Sequence, residues 1–142
     1  MRASPVSTTG LIRVLTADDH PGFLDTAREL IRRTPGFETV GEARSGEQAV
    51  TLAWELRAQL VLLDVHMPGI GGIEASRQIV AANPEVVVAL ISAYAVDDLP
   101  SAVLSCGARA VLAKHRLRPQ AIARLWDLAA RTPAGTVLPF DG

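Results

Sequence analysis

Short apolar runs alternate along the chain with longer segments in which apolar residues recur every three or four positions. The runs are typical of strands, and the recurrence is typical of helices that bury one face. The predicted strands cover residues 11–16, 37–43, 60–63, 86–91 and 108–113. The predicted helices run from His20-Pro21 to Thr34, from Ser45, over about 72–82, over about 96–105, and from Pro119. Five strands therefore alternate with five helices.

This alternation, with short connections, predicts βαβ units and a parallel sheet that carries helices on both faces. The runs at 60–63 and 86–91 are wholly apolar, as expected for strands buried on both sides, whereas 37–43 is more polar and suits an edge. At 142 residues the chain fits one α/β domain, predicted over 11–131. Residues 1–10 are predicted to be a flexible tail, and residues 132–142 a C-terminal tail or the root of a linker.

Composition narrows the classes of function. The net charge of −1 gives no bulk attraction for nucleic acid or a membrane surface. The single cysteine, Cys106, excludes a disulfide framework and suits a reducing compartment. The N-terminus has no apolar segment of the secretory type, and no apolar run is long enough to span a membrane. We therefore expect a cytoplasmic protein without a membrane partner.

An aspartate directly follows one of the two strands that are predicted to be buried on both faces. Asp64 directly follows the apolar run 60–63, and a Met-Pro pair and a glycine-rich turn follow it. Ligands of open α/β sheets bind outside the carboxyl ends of the strands, where such a residue would lie. Because Asp is also a favoured turn and cap residue, Asp64 by itself fits a structural role equally well.

Polar residues also end the other strands that are predicted to be buried. Asp18 and Asp19 follow the first strand, and Ser92 and Lys114 end the fourth and fifth. Since these ends share one edge of a parallel sheet, the three carboxylates would repel one another unless a cation lies among them. Carboxylate oxygens are ligands that Mg²⁺ prefers. With an ammonium and a hydroxyl nearby, the cluster predicts a site that stabilises a transferring phosphoryl group.

Each of these residues also has an ordinary interpretation. Asp18 and Asp19 suit a helix cap, Ser92 the end of any strand, and Lys114 a solvated loop. Their arrival together at strand ends, in an order that fits one site, favours the functional interpretation over this set of coincidences.

With these motifs in register, the chain resembles the receiver domain of response regulators, the phospho-acceptor half of two-component signal transduction. The resemblance implies a flavodoxin-like, doubly wound (βα)5 fold with a five-stranded parallel sheet in the order 2-1-3-4-5. The residues at 91–94 and around Asp64 resemble those of the subfamily that carries a C-terminal helix-turn-helix and regulates transcription. The matching pieces are Ala17-Asp18-Asp19-His20, Asp64 with the turn up to Gly72, Ser92-Ala93, and Lys114.

The resemblance implies a role in phosphoryl chemistry for three residues. Asp64 would accept the phosphoryl group from a sensor histidine kinase. Ser92 would hydrogen-bond the phosphoryl oxygens and move toward them on activation, and Lys114 would pair with them. The expected activity is self-phosphorylation from a phosphodonor and slow self-dephosphorylation, so the chain is not expected to be an enzyme that turns over a foreign substrate.

The resemblance also implies a Mg²⁺ site. Asp19 would bind the ion directly, and Asp18 would help to hold it. Asp64 and the backbone carbonyl of His66 would complete the protein ligands. Mg²⁺ is the one cofactor that we expect.

Three positions are expected to modulate the signal. Val111 stands where many receivers carry an aromatic switch residue, which predicts a weaker or differently transmitted switch. His66 and Tyr94, each two residues after a site residue, are expected to set the lifetime of the aspartyl phosphate. The ring of Tyr94 would exclude water and His66 would hold or activate one, although a plain surface role fits either residue as well.

Two further departures from the family pattern affect local structure. His115 follows the lysine where proline in a cis peptide is common, so the cis bond is not expected here. Gly71 stands where the subfamily often has Asp, which predicts a loosened start of the third helix because a cap is lost.

An output surface is implied as well. In the family, the face made here by residues 96–105, 108–113 and 119–131 mediates phospho-dependent dimerisation or partner docking. Basic residues near this face suit a solvated surface, so we expect no nucleic-acid binding by this chain itself. They are Arg109, His115, Arg116, Arg118 and Arg124.

Three alternatives compete with a phospho-accepting receiver. A Mg²⁺-dependent phosphohydrolase of the haloacid-dehalogenase kind would need Asp at the position of His66. A flavodoxin-like cofactor binder would need a phosphate-cradling loop after the first strand, where Asp18-Asp19-His20 would repel a phosphate. The third is a pseudo-receiver, an interaction module that is never phosphorylated, and the complete acidic site argues against it.

Overall fold

The computed structural model describes residues 10–132 and 138–140, and its centre is a parallel sheet of six strands. The strands are β1 (Ile12–Ala17), β2 (Phe37–Ala43), β3 (Leu60–Asp64), β4 (Val87–Ser92), β5 (Ala110–Ala113) and β6 (Leu138–Phe140). They lie in the order β2-β1-β3-β4-β5-β6. The first five confirm the predicted strands and their order, with the more polar β2 at one edge.

Four α-helices accompany the sheet, and each begins within one residue of its predicted start. They are α1 (Pro21–Arg32), α2 (Gly46–Glu55), α3 (Gly71–Ala82) and α4 (Pro119–Arg131). Ser45 precedes α2, and its hydroxyl oxygen accepts a hydrogen bond of 3.1 Å from the backbone N–H of Gln48. None of the described helices is long and apolar enough to cross a membrane.

The prediction of one helix over residues 96–105 is wrong. The structure has two short 3-10 segments there, Val96–Asp98 and Ser101–Leu104. Pro100 lies between them with an extended backbone, φ −58° and ψ 148°. Proline cannot donate a helical hydrogen bond and disfavours helical geometry in the residue before it, so a continuous helix cannot pass through this position.

The sheet has a hydrophobic core on each face, which explains why its central strands are apolar throughout. Side chains of a strand point alternately to opposite faces. Thus Val61 and Leu63 of β3 lie in the cluster with α2 and α3, whereas Leu60 and Leu62 lie in the cluster with α1 and α4. Every residue of β3 and β4 is buried. These strands therefore form a fixed base for the loops that follow them.

The C-terminal stretch, predicted to be a tail or linker root, contributes the unpredicted strand β6. It pairs in parallel with β5, in the register Ala110 to Leu138, Val111 to Pro139 and Leu112 to Phe140. Three residues with a central proline carry no strand signal in the sequence, because strands are recognised from longer patterns. Apart from Gly10, the predicted N-terminal tail lies outside the described residues.

Candidate functional site

The predicted site residues meet at the carboxyl edge of the sheet. Asp64 and Ser92 are the last residues of β3 and β4, and Lys114 directly follows β5. Asp18 follows β1 and is held there by its backbone N–H, which donates to the carbonyl of Ala43 at 2.9 Å. The edge therefore brings together the residues that the sequence places far apart, as expected for strand ends in a parallel sheet.

Lys114 lies between two buried carboxylates. Its ammonium is 2.5 Å from Asp18 Oδ2 and 3.6 Å from Asp64 Oδ2. It also lies over the ring of Phe23, 4.7 Å from the centroid, at a distance suited to a cation–π contact. Phe23 was not predicted as part of the site. The side chain of Lys114 is 17% exposed, so its positive charge is held inward rather than solvated.

Asp19 and His20 form the outer side of the cluster. His20 is largely exposed, and its Nδ1 lies 3.0 Å from Asp18 Oδ1 and 3.3 Å from Asp19 Oδ1. The backbone N–H of His20 donates to Asp18 Oδ1 at 2.8 Å. Apart from its contact with His20, the buried Asp19 Oδ1 makes no hydrogen bond in the described part of the chain. His20 was not predicted as a site residue, although its position directly after the acidic pair could have indicated it.

The electrostatics of the cluster favour a bound cation. Burial raises the pKa of Asp64 and the neighbouring Asp18 carboxylate raises it further, whereas Lys114 and the backbone N–H of His66 lower it. The net direction is upward, so one ammonium does not offset the desolvation and the repulsion. Oxygen or nitrogen atoms of Asp18, Asp19, His20 and Asp64 all lie within 4.8 Å of one another. A buried Asp19 oxygen among three carboxylates fits a hard divalent ion such as Mg²⁺.

Ser92 supplies a buried hydroxyl at the end of β4. Its Oγ accepts a hydrogen bond of 2.9 Å from the backbone N–H of Tyr94. A hydroxyl has one proton to donate besides its lone pairs, so Ser92 keeps a donor for a ligand at this edge. The side chain is completely buried, which fixes its position relative to Asp64.

His66 and Tyr94 form an exposed pair beside the site. Their rings meet edge to face, with centroids 5.0 Å apart and an interplanar angle of 84°. The backbone N–H of His66 donates to Asp64 Oδ1 at 3.3 Å, and Tyr94 is 59% exposed. The two predicted modulators therefore contact each other, which the sequence analysis did not foresee. The predicted metal-binding role of the His66 carbonyl stays a prediction.

The glycine-rich turn after Asp64 lies too close to β3 for larger residues. A Cβ on Gly72 would lie 2.0 Å from the carbonyl oxygen of Asp64, so only glycine fits without a backbone shift. Gly71 predicts that the third helix lacks a capping side chain at its start. In the structure, a side chain from another helix takes this role, which was not predicted. Glu47 of α2 accepts a hydrogen bond of 3.3 Å from the backbone N–H of Ile70, where α3 begins.

Val111 and His115 lie where the sequence places them in the family pattern. Val111 is buried in β5 and packs in the core beneath the site. No aromatic side chain therefore occupies the position of the usual switch residue. Lys114 and His115 begin a short 3-10 turn, Lys114–Arg116, and no peptide bond in the described part of the chain is cis.

Comparison with known proteins agrees with this geometry. Residues 14–125 match the model of the response regulator receiver domain. The response regulator GacA of Pseudomonas protegens is 38% identical over 104 residues, which are 73% of this chain and 49% of that protein. The response regulator UvrY of Escherichia coli is 36% identical over 104 residues, 73% of this chain and 48% of that protein. The chain thus spans about half the length of the curated relatives it matches.

Solved structures show the same fold. A LuxR-family two-component response regulator from Aurantimonas sp. SI85-9A1 has a TM-score of 0.76 at 27% identity, over 85% of this chain and 86% of that one. The receiver domain of the putative response regulator NarL from Mycobacterium tuberculosis has a TM-score of 0.74 at 30% identity, over 86% and 98%. The family match, the relatives and the arrangement of the acidic edge agree, and the chain belongs to the response regulator receiver domains of two-component systems.

Proposed function

We propose that this chain is a phospho-acceptor switch, in which Asp64 takes a phosphoryl group from a sensor histidine kinase in a Mg²⁺-dependent reaction. The observation that carries the proposal is the position of Asp64 beside the ammonium of Lys114, Asp18 and Asp19 at the carboxyl edge of the sheet. A buried carboxylate with a cation on one side and a cation-binding cluster on the other suits an acceptor for a highly charged group.

In this reaction a carboxylate oxygen of Asp64 attacks phosphorus. A P–O bond forms, and the P–N bond to the histidine of the kinase breaks, with the electron pair leaving on that imidazole. Lys114 gives up part of its contact with Asp18 and pairs with an oxygen of the new phosphoryl group. The hydroxyl of Ser92 donates a hydrogen bond to a second phosphoryl oxygen. The group remains on the protein until water removes it, so the protein does not turn over a foreign substrate.

The residues that would hold Mg²⁺ are Asp18, Asp19 and Asp64, with the backbone carbonyl of His66. When bound, the ion offsets the negative charge that the phosphoryl oxygens add to this cluster. His20 is also within reach of the carboxylates, and its exposure leaves its ring free to turn away when the ion binds.

The alternatives have weaker support. A phosphohydrolase would need an acid two residues after the nucleophile, and His66 there contacts Tyr94 and donates its backbone N–H to Asp64. The family match gives no support to a pseudo-receiver, and the acceptor, the acidic pair and the ammonium are in contact distance at the edge where Ser92 ends β4.

The test is labelling of the full chain with a small acyl phosphate and Mg²⁺, followed by intact-mass measurement. Wild type should gain one phosphoryl group, and Asp64→Asn should gain none. The matched control Asp127→Asn, at an exposed position on α4, should label like wild type. Labelling of Asp64→Asn at the wild-type level would refute the assignment of the acceptor.

The metal is tested separately by titrating Mg²⁺ into the unphosphorylated chain in a calorimeter. Asp19→Asn should weaken binding at least tenfold, which corresponds to about 1.4 kcal/mol, because it removes one of the clustered carboxylates, whose Oδ1 is buried. Asp127→Asn should leave the affinity unchanged. Equal affinities of wild type and Asp19→Asn would exclude Asp19 as a ligand.

A further inference from the structure

The outer edge of β5 is covered by the C-terminal segment of the same chain. Leu138–Phe140 pairs with Ala110, Val111 and Leu112, so β5 has a neighbour on both sides. Without β6, β5 would be the edge strand of the sheet and would present a row of unpaired backbone groups. The presence of β6 therefore decides whether this edge is available to another strand.

β5 is also attached to the phosphoryl site in two ways. Lys114 is the next residue after β5 and contacts both Asp18 and Asp64. On the other side, Ala113 of β5 lies in register with Ser92 of β4. A movement of Lys114 toward a new group on Asp64 therefore pulls directly on the carboxyl end of β5. A movement of Ser92 acts on the same end through the pairing of β4 with β5.

β6 can form only a few hydrogen bonds with β5, so its attachment is weak. It has three residues, and its central residue, Pro139, has no backbone N–H, so β6 offers at most two N–H donors to its neighbours. Strands this short contribute few ladder bonds, and they are lost together when the partner strand shifts.

The register places Pro139 beside Val111, the position that lacks the usual aromatic switch residue. Val111 is buried and β-branched, so its χ1 has little freedom to change on activation. A signal that leaves the site through β5 must therefore travel in the backbone, and β6 is the element that lies against that backbone.

We propose that β6 is a detachable strand, docked on β5 while Asp64 is unphosphorylated and released when Lys114 and Ser92 move toward the phosphoryl group. Release leaves the outer edge of β5 without its paired neighbour. This inference rests on the proposed phosphorylation of Asp64, which is measured separately in the test.

The test is amide hydrogen exchange of the full chain, read by mass spectrometry with Mg²⁺ alone and with Mg²⁺ plus beryllofluoride. Peptides that contain β5 should exchange at least threefold faster with beryllofluoride. Peptides from β2, the opposite edge of the sheet, should not change, and Asp64→Asn should show no response.

Two variants test the docking without phosphorylation. Leu138→Pro removes one of the N–H donors of β6, and should bring β5 exchange in Mg²⁺ alone to the level of the beryllofluoride state. Pro139→Ala adds an N–H without lengthening the strand and should not accelerate exchange. Both variants should label at Asp64 like wild type.

The outcomes separate the two proposals. Loading of Asp64 with no change in β5 exchange would overturn the release of β6 and leave the acceptor assignment intact. Unchanged β5 exchange in Leu138→Pro would show that β6 does not protect this edge. Failure to load Asp64 at all would refute both the proposed function and this inference.

Discussion

Asp64, the proposed acceptor, lowers the stability of the folded protein at neutral pH. Its carboxylate is buried near Asp18, and its pKa is raised from the ordinary value of 3.8. A carboxyl group whose pKa is higher in the folded state binds its proton more readily there. Its contribution to stability is therefore fully present below pH 3.8 and is lost as the pH rises through the raised value.

This gives a prediction for the metal-free protein. Asp64→Asn should raise the melting temperature at neutral pH by a few degrees, because it removes a buried charge that Lys114 only partly compensates. The gain should shrink as the pH falls through the raised pKa of Asp64, because wild-type Asp64 then becomes protonated. Thermal unfolding in a chelator over a pH series measures it, with Asp127→Asn as the control. A gain that is independent of pH would contradict the argument.

The contact between Tyr94 and His66 leads to a prediction about the lifetime of the proposed aspartyl phosphate. In-line attack by water needs an open approach beside the acceptor. We expect the paired rings to flank this approach, because the backbone N–H groups of the two residues bond Asp64 and Ser92. Tyr94→Ala should speed dephosphorylation by roughly 3- to 30-fold, equivalent to about 0.7–2 kcal/mol of barrier. Tyr94→Phe keeps the ring and should decay like wild type.

The measurement is the first-order decay of phospho-Asp64 in excess Mg²⁺ after the donor has been removed. Since the rings touch, the effects of Tyr94→Ala and His66→Ala should not add in the double variant. Equal decay of wild type and Tyr94→Ala would leave Tyr94 with a surface role only.

At the scale of elements, α3 depends on a side chain from another helix. Glu47 of α2 accepts the N–H of Ile70, and α3 has no cap of its own. Glu47→Ala should lower the free energy of unfolding by about 0.5–1.5 kcal/mol in urea. Glu47→Gln, which keeps an acceptor oxygen, should lose less, and Glu55→Ala at the exposed end of α2 should lose little. Equal losses for Glu47→Ala and Glu55→Ala would refute the capping role.

The elements also show what local pattern can and cannot predict. The strand ends at Asp18, Asp64, Ser92 and Lys114 were predictable, because apolar runs stop there and a parallel sheet aligns such ends. The break at Pro100 was predictable from the sequence, but the helix predicted over residues 96–105 ran across it.

Other features depend on contacts between residues distant in sequence. Glu47 lies 23 residues from Ile70, and no spacing rule connects them. The ring of Phe23 in α1 contacts Lys114, which directly follows β5, although the two residues are far apart along the chain. The pairing of β6 with β5 also joins segments separated by the whole of α4. Such contacts follow from the assembled fold, so reasoning along the chain could not supply them.

For the whole molecule, the question is how a change at one edge of the sheet reaches a partner. The face made by Ser101–Leu104, α4 and the edge of β5 that β6 covers exposes Leu104 and Leu128, which are 63% and 37% accessible. We expect beryllofluoride to promote self-association through this face, and only weakly, because Val111 cannot transmit the signal as an aromatic residue would.

Sedimentation velocity with and without beryllofluoride tests this expectation. Leu104→Ser should abolish the association, since an exposed leucine at a contact supplies apolar area. Trp54→Ser, which removes an equally prominent apolar side chain from α2, should not affect it. A tight dimer, or one that survives in Leu104→Ser, would contradict the expectation.

The position of Lys114 has a practical consequence for chemical footprinting. It is the only lysine among the 142 residues, and the chain's other 13 basic Lys/Arg positions are all arginine. Apart from the α-amino group, acylating reagents therefore find one amine in these 142 residues, and it lies between Asp18, Asp64 and the ring of Phe23. The rate at which this amine is acylated reports on the occupancy of a single site, so the unmodified protein carries its own reporter.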